Sequence, residues 1–484
     1  MPKHRASESS STRGAASTAH PLATGAAVRV LEQGGSAVDA AIAAQAVISV
    51  VLPQAAGLGG DVLALVHDRG RVSAVNGTGR SPRALTSQPE ASGGSSVTVP
   101  GLVDGWVTLS ARWGRLPLSE LLAPAIELAD GGIVPEASLI AAVDQQHARL
   151  EHGGAADWSL LTAADGLWKQ PELAELLGRI GGMGRDAFYE GRGAVALVDA
   201  VRRCGGSLDQ LDLAGHDTPC PPTISVPWSD GAVHVQPPMS QGVLLALALQ
   251  EVRRMAARGI PVDDHLLVEI TGAAFEHRSS CGRGAELLDV DLDVDHERAS
   301  GRAGPRAYLH TAGVATVDAD GQVVSSLVSV FDDFGSGVFV PELGIVLNNR
   351  AAGFTDGDNS AAPGKRPVHT LAPAMVTSAH GVLGIATPGA DGQIQTLLQV
   401  LVARDLSATA LSDAVGALRW RSQDGDLLIE EGHPRADALA ERGHRIVART
   451  PGADVFGAVV AAGTDPTPHA VADWRRETDT RGAA

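Results

Sequence analysis

The feature that most constrains this chain is a pair of β-rich runs, His310 to Asp318 and Gln322 to Val330, joined by Asp318-Ala319-Asp320-Gly321. Small and β-branched residues on both sides of an Asp- and Gly-containing turn predict an antiparallel hairpin. Thr311 stands at the head of its first strand. A backbone cut just before it would give Thr311 a free α-amine with a pKa of about 7.7–8, a base beside its own hydroxyl. Most strand threonines are only good strand formers, so the rest of the chain has to decide the matter.

At 484 residues the chain is long enough for a large core, and the length permits two or three domains. Hydrophobic residues make up 44% and mean hydropathy is near zero, the balance of a globular protein. Aromatics are only 3%, so Ala, Val and Leu must fill the core. The formal charge of −18 repels phosphate backbones and anionic lipid, which argues against nucleic-acid and membrane partners. Cys204, Cys220 and Cys281 form no close pair, and are expected to be buried thiols in a reducing compartment.

Residues 1–20 are Ser-, Ala- and Arg-rich and lack an apolar core of signal-peptide length, so they read as a disordered lead-in to a cytoplasmic protein. The longest apolar run, Ala37 to Leu52, is shorter than the ~18–20 residues of a membrane span and reads as a buried helix ending at Pro53.

In order, a helix is expected over Ala26 to Gln33, closed by Gly34-Gly35, with Ser36 capping the next. Gly57-Leu58-Gly59-Gly60-Asp61 precedes a strand, Val62 to Val66, and a second strand, Val72 to Val75. The loop that follows carries one cation, Arg80. Helices are expected over Val103 to Trp113, Leu118 to Asp130 and Pro171 to Ile180, then strands around 223–236, then a helix to about Arg258. Residues 282–309 read as an exposed polar linker. Phosphate-loop, zinc-protease and serine-hydrolase motifs are missing, and His, Asp and Glu show no metal-ligand spacing, so neither metal nor cofactor is expected.

Short segments accumulate into a resemblance: HPLATG at 20–25, GGSAVDAA at 34–41, GLGGD at 57–61, VPGLVDGW at 99–106, FYEG at 188–191 and PPMSQG at 237–242. Beyond Thr311 come FGSG at 334–337, GIVLNNR at 344–350, PGKRPVHTLAPAM at 363–375, TPGADGQ at 387–393 and ADWRR at 472–476. In this order, over about 20 to 476, the chain resembles the gamma-glutamyltransferase family of N-terminal-nucleophile hydrolases. Its GLGGD, NNR and GKRPVHTL variants look like the branch that includes oxamate amidohydrolase-like proteins.

The resemblance implies an α+β fold, a four-layer αββα sandwich made as one self-cleaving precursor. Cleavage before Thr311 would leave a large chain (21–310, after the lead-in) and a small chain (311–484) interlocked as an intramolecular heterodimer. Thr311 would be the nucleophile and Ser329 its supporting hydroxyl, with the backbone amides of Gly389 and Ala390 holding the oxyanion. The family usually has two glycines there.

Other positions depart from the pattern. Where glutathione-cleaving members grip the glutamyl carboxylate with an arginine, this chain has Thr78. Where they hold the amino group with Asn, Gln and Asp, it has Phe331, Arg350 and Gly353, and a paired serine becomes His369-Thr370. The acyl-transfer machinery is kept and the amino-acid clamp is largely gone. This favours a small acid or amide without a zwitterionic glutamyl head, with Arg350 and Arg80 as carboxylate partners and Phe331, His369 and Thr370 beside them. Two alternatives remain: the same nucleophile redirected to C–C bond or other acyl hydrolysis, or an unprocessed scaffold that is not an enzyme.

Overall fold

The computed structural model describes residues 5–163, 166–302, 304 and 311–484. The hairpin forms: Ala312–Asp318 pairs antiparallel with Val323–Ser329. Its turn is held by Asp318, whose Oδ1 accepts from the amides of Asp320 (3.0 Å) and Gln322 (2.9 Å). An aspartate that bonds its own downstream backbone closes such a turn without help from elsewhere.

The hairpin lies inside a six-stranded sheet, in the order Asp479–Gly482, Gly14–Thr18, Ala312–Asp318, Val323–Ser329, Asp61–Asp68, Arg71–Gly77. A seven-stranded sheet faces it, in the order Ser7–Ser10, His469–Ala472, Val460–Gly463, Val382–Ala386, Ala374–Thr377, Gly231–Val235, Ile224–Trp228. Because side chains alternate along a strand, each hairpin strand feeds two cores. Ala315, Val317, Val323 and Leu327 meet Met375, Ala386, Val460 and Ala462 between the sheets. Val314, Val324 and Val328 point the other way, into the core under the helices Pro21–Glu32 and Ala37–Val51. On the far side, Gly242–Ala257, Asp264–Phe275 and Gly392–Asp405 cover the seven-stranded sheet. The layers therefore run helix, sheet, sheet, helix.

Small residues let the sheets approach. A Cβ on Gly313 would fall 2.7 Å from Val460 Cγ2, and one on Gly384 would fall 3.1 Å from Ser325 Cβ. Ser325 also donates across the gap to the Ile385 carbonyl at 2.9 Å. An Ala/Val-rich, aromatic-poor composition fits such a gap. Truncating a filled position there, such as Leu327 to Ala, would cost about 2–5 kcal/mol.

Three expectations need correction. Residues 1–20 are not a disordered lead-in where described: Ser7–Ser10 is an edge strand, and Gly14–Thr18 is a buried strand paired with Ala312–Asp318. The first helix begins at Pro21, not Ala26, because His20 caps it through Nδ1 and proline suits the first turn. The stretch expected as an exposed linker starts with 3-10 turns over Arg278–Asp289 that bury Cys281 and Leu287; residues 305–310 lie outside the described residues. The capping box of Ser36 and Asp39 forms as read. Among the described residues no helix is long and apolar enough to cross a membrane.

Candidate active site

Strand register builds the site. Ala312 pairs with Val328, so extending the ladder by one residue sets Thr311 opposite Ser329, and Ser329 in turn pairs with Asp61 on the next strand. All three lie on the inter-sheet face, in step with Gly313, Leu327 and Leu63. Thr311 Oγ1 donates to Ser329 Oγ at 3.3 Å, and the same oxygen accepts from the Phe331 amide at 2.9 Å. Thr311 and Pro388 line one cavity of about 210 Å³, walled by Ala19, Leu52, Ala458 and Val460, with Gln54 and Arg476 as polar members. His310 lies outside the described residues.

The turn after Pro388 follows the strand Val382–Ala386 and precedes the helix Gly392–Asp405. Gly389 has φ +120° and Ala390 φ +48°. Among the described residues neither amide donates a hydrogen bond, while both carbonyls are tied back. Arg421 Nη1 donates to the Gly389 carbonyl at 3.2 Å, and Gln241 Nε2 to the Ala390 carbonyl at 2.9 Å. The Gly389 carbonyl shares its peptide plane with the Ala390 amide, and the Pro388 carbonyl, which accepts from Thr387 Oγ1 at 3.1 Å, shares its plane with the Gly389 amide, so both amides are held in direction, the preorganisation that an oxyanion site requires. The positive φ also explains why glycine suits position 390: alanine is strained there.

Beside Ser329 the chain turns through Phe331, a buried non-glycine residue at φ +88°. Its ring lies under the Arg350 guanidinium, 4.0 Å from its carbon. Arg350 is wholly buried, donates to Thr370 Oγ1 at 3.3 Å and faces Asp61 Oδ2 at 3.6 Å from Nε. Its Nη2 has no hydrogen-bond partner among the described residues. Burial pushes the guanidinium down to about 10, against the pull of Asp61 and Asp332, and it stays charged at neutral pH. His369 donates from Nε2 to Asp61 at 3.1 Å and accepts the Leu371 amide at Nδ1, which assigns a neutral ring. Burial, then the charge of Arg350, lowers it to about 4.

The structure thus brings together Thr311, Ser329, Phe331, Arg350, His369 and Thr370, with the Gly389-Ala390 turn joined to Thr370 through Gln241. Arg80 does not join them: it is exposed and donates to the Gly364 carbonyl at 3.1 Å. Sequence reasoning assigned no role to Asp61, taken as the end of a glycine cluster, to Gln241, inside PPMSQG, or to Arg421, because the last two act on backbone carbonyls distant in sequence.

A four-layer αββα sandwich with a hydroxyl residue heading an inner strand is the architecture of the N-terminal-nucleophile hydrolase class. The gamma-glutamyltranspeptidase family model matches residues 23–483, and the chain belongs to that family of enzymes. It is 32% identical to an oxamate amidohydrolase proenzyme of Klebsiella pneumoniae subsp. pneumoniae, over 90% of this chain and 92% of the relative. It is 30% identical to the acylase ACY 1 proenzyme of Pseudomonas sp. (strain V22), over 96% of this chain and 93% of the relative. The crystal structure of a cephalosporin acylase from Bacillus halodurans superposes with a TM-score of 0.85 at 27% identity, covering 99% of this chain and 97% of that one.

Proposed function

We propose that this protein cleaves itself before Thr311 and then hydrolyses the amide of a small carboxylic acid through an acyl-Thr311 ester. The observation that carries the reading is the Thr311 hydroxyl, hydrogen-bonded to Ser329 in the cavity it shares with Pro388. In maturation, Thr311 Oγ attacks the preceding carbonyl, the acyl group shifts from N to O, and water hydrolyses the ester. A carboxylate on residue 310 and a free Thr311 amine result. In turnover that amine takes the hydroxyl proton as Oγ attacks the substrate carbonyl, then returns it to the departing nitrogen. The amides of Gly389 and Ala390 receive the oxyanion.

Arg350 is the carboxylate partner in this reading, supported by its unpartnered Nη2 and its contacts with Asp61, Thr370 and Phe331. Arg80 drops out. Similarity to an oxamate amidohydrolase supports a short acid amide. The apolar wall of Ala19, Leu52, Ala458 and Val460 favours a second reading, a larger apolar acyl or amine portion, as similarity to acylases also suggests. Three free thiols support a reducing, cytoplasmic setting.

Intact mass of the purified wild type beside Thr311→Ala tests the first step. Two fragments, the smaller beginning at Thr311, against one uncut variant chain are expected. A single uncut chain in both defeats the proposal. Incubation with oxamate and with phenylacetyl amides should then leave a mass adduct on the small chain, and which compound does so chooses between the readings.

A further inference from the structure

Away from the nucleophile, on the outer helical layer, three potential ligands converge. His265 and Glu269 lie one turn apart on the helix Asp264–Phe275, and His444 sits in the turn before the strand Ile446–Arg449. One ligand atom from each of the three lies within 4.8 Å of the others. His265 Nδ1 and His444 Nε2 are 2.8 Å apart. We propose that His265, Glu269 and His444 form a binding site for a zinc-class divalent ion.

Three observations support it. First, His265 Nε2 is 3.1 Å from the Asp295 carbonyl, which can only accept, so this nitrogen carries the proton and Nδ1 turns its lone pair toward His444. Fixing a histidine through its other nitrogen is how proteins orient a metal ligand. Second, Glu269 is buried and held by the Ser300 amide at 3.2 Å, so its carboxylate is already in place. Third, Glu269 and His444 border a cavity of about 320 Å³ that leaves room for water as a fourth ligand.

Nearby cations oppose the ion, but each has other partners. Arg302 is 3.3 Å from Glu269 and closer to Glu276 (2.9 Å), the Asp293 carbonyl (2.7 Å) and Ser300 Oγ (2.7 Å). Arg442 pairs with Asp263 at 2.9 Å, and Arg445 pairs with Asp426. Metal–nitrogen bonds of ~2.0–2.1 Å in a tetrahedron need nitrogens about 3.3 Å apart, so the two rings must separate by about 0.5 Å. The half-buried His444 turn can supply that shift.

The site's position has a consequence that rests on the proposed cleavage. His265 and Glu269 precede Thr311 in sequence and His444 follows it, so an ion there would join the two mature chains.

Cobalt(II) titration of the metal-free full-length protein tests the site, with zinc as competitor. The wild type should take up one equivalent with the strong visible absorption of a tetrahedral ion, and zinc should abolish it. His265→Ala and His444→Gln should lose the band, and Glu269→Gln should weaken it, with circular dichroism confirming that each variant folds. Thr311→Ala should titrate like the wild type, so the result stands or falls apart from self-cleavage. A wild type that binds no more cobalt than His444→Gln overturns the proposal, as does a band that survives in all three ligand variants.

Discussion

Asp61 and Arg350 face each other at 3.6 Å, Oδ2 to Nε, both wholly buried, so neither charge has solvent to replace the other. Removing one partner from such a pair leaves an uncompensated charge, at a cost of about 3–5 kcal/mol. Asp61→Asn is therefore expected to lower the urea midpoint strongly, and to reduce turnover because Arg350 loses its anchor. An unchanged midpoint would mean that Asp332 alone compensates the guanidinium.

Ser329→Ala removes the oxygen that receives both the Thr311 hydroxyl and the Phe331 amide. Losing a buried hydrogen bond costs about 0.5–1.5 kcal/mol, so the melting temperature should fall. Maturation and turnover should both slow, by roughly 10²–10⁴ if the hydroxyl assists proton movement. Fragment appearance on a denaturing gel over time reads the first rate. Normal rates in a destabilised variant would reduce Ser329 to a structural role.

Gln241 bonds the carbonyls of Thr370 and Ala390, so Gln241→Ala frees the amide turn without touching substrate. The expected signature is a fall in kcat of up to ~10² with KM little changed, since the loss falls on the transition state. Raised KM at constant kcat would place Gln241 in substrate binding instead.

Ala390 holds φ +48°, where a Cβ costs about 1 kcal/mol or more. Ala390→Gly should melt no lower than the wild type, against the usual penalty for added glycine, and should keep its activity. Loss of stability would mean that the Ala390 methyl packs usefully in the buried turn.

Acid should weaken the fold through its buried histidines. His369 and His216 are both pushed down to about 4, chiefly by burial. Between about pH 6.5 and 4 the unfolded chain binds protons that the native state refuses, so stability falls as pH falls through that window. Urea midpoints from pH 7 to 4.5 should show the decline, and His369→Gln should make it shallower while His216 maintains part of the slope. A flat wild-type profile would contradict the neutral buried rings.

Much of this was legible in the sequence because its signals are local. The hairpin announces itself through β-branched runs about Asp318-Ala319-Asp320-Gly321, and the second helix through Ser36 and Asp39. The strand Gly14–Thr18 was not legible: Gly-Ala-Ala-Ser-Thr has no strong strand preference and is extended because its neighbours offer a ladder on both sides. The same division holds at the site. Thr311 and Ser329 are marked by the hairpin and Arg350 by its segment, whereas Asp61 and Gln241 lie inside GLGGD and PPMSQG but act through a cross-strand partner and through carbonyls far along the chain. Arg80 looked like a binding cation because sequence cannot tell an exposed loop charge from a pocket charge. His265 and His444, 179 residues apart, meet only once the chain is folded.

The six-stranded sheet alternates between the two sides of the proposed cut. Its order begins with Asp479–Gly482 from after Thr311, then Gly14–Thr18 from before it, then the hairpin from after it, then Asp61–Asp68 and Arg71–Gly77 from before it. Neither fragment can slide out of the other without unzipping the ladders on both flanks of the hairpin, to Gly14–Thr18 on one side and to Asp61–Asp68 on the other. Assembly therefore has a direction in time: the sheet is woven from an intact chain, and scission comes afterwards. Halves synthesised separately would each present unpaired strand edges and would aggregate before finding one another. On the proposed cleavage, retaining the bond until folding is complete keeps each fragment's strands tethered to the ladders they must join.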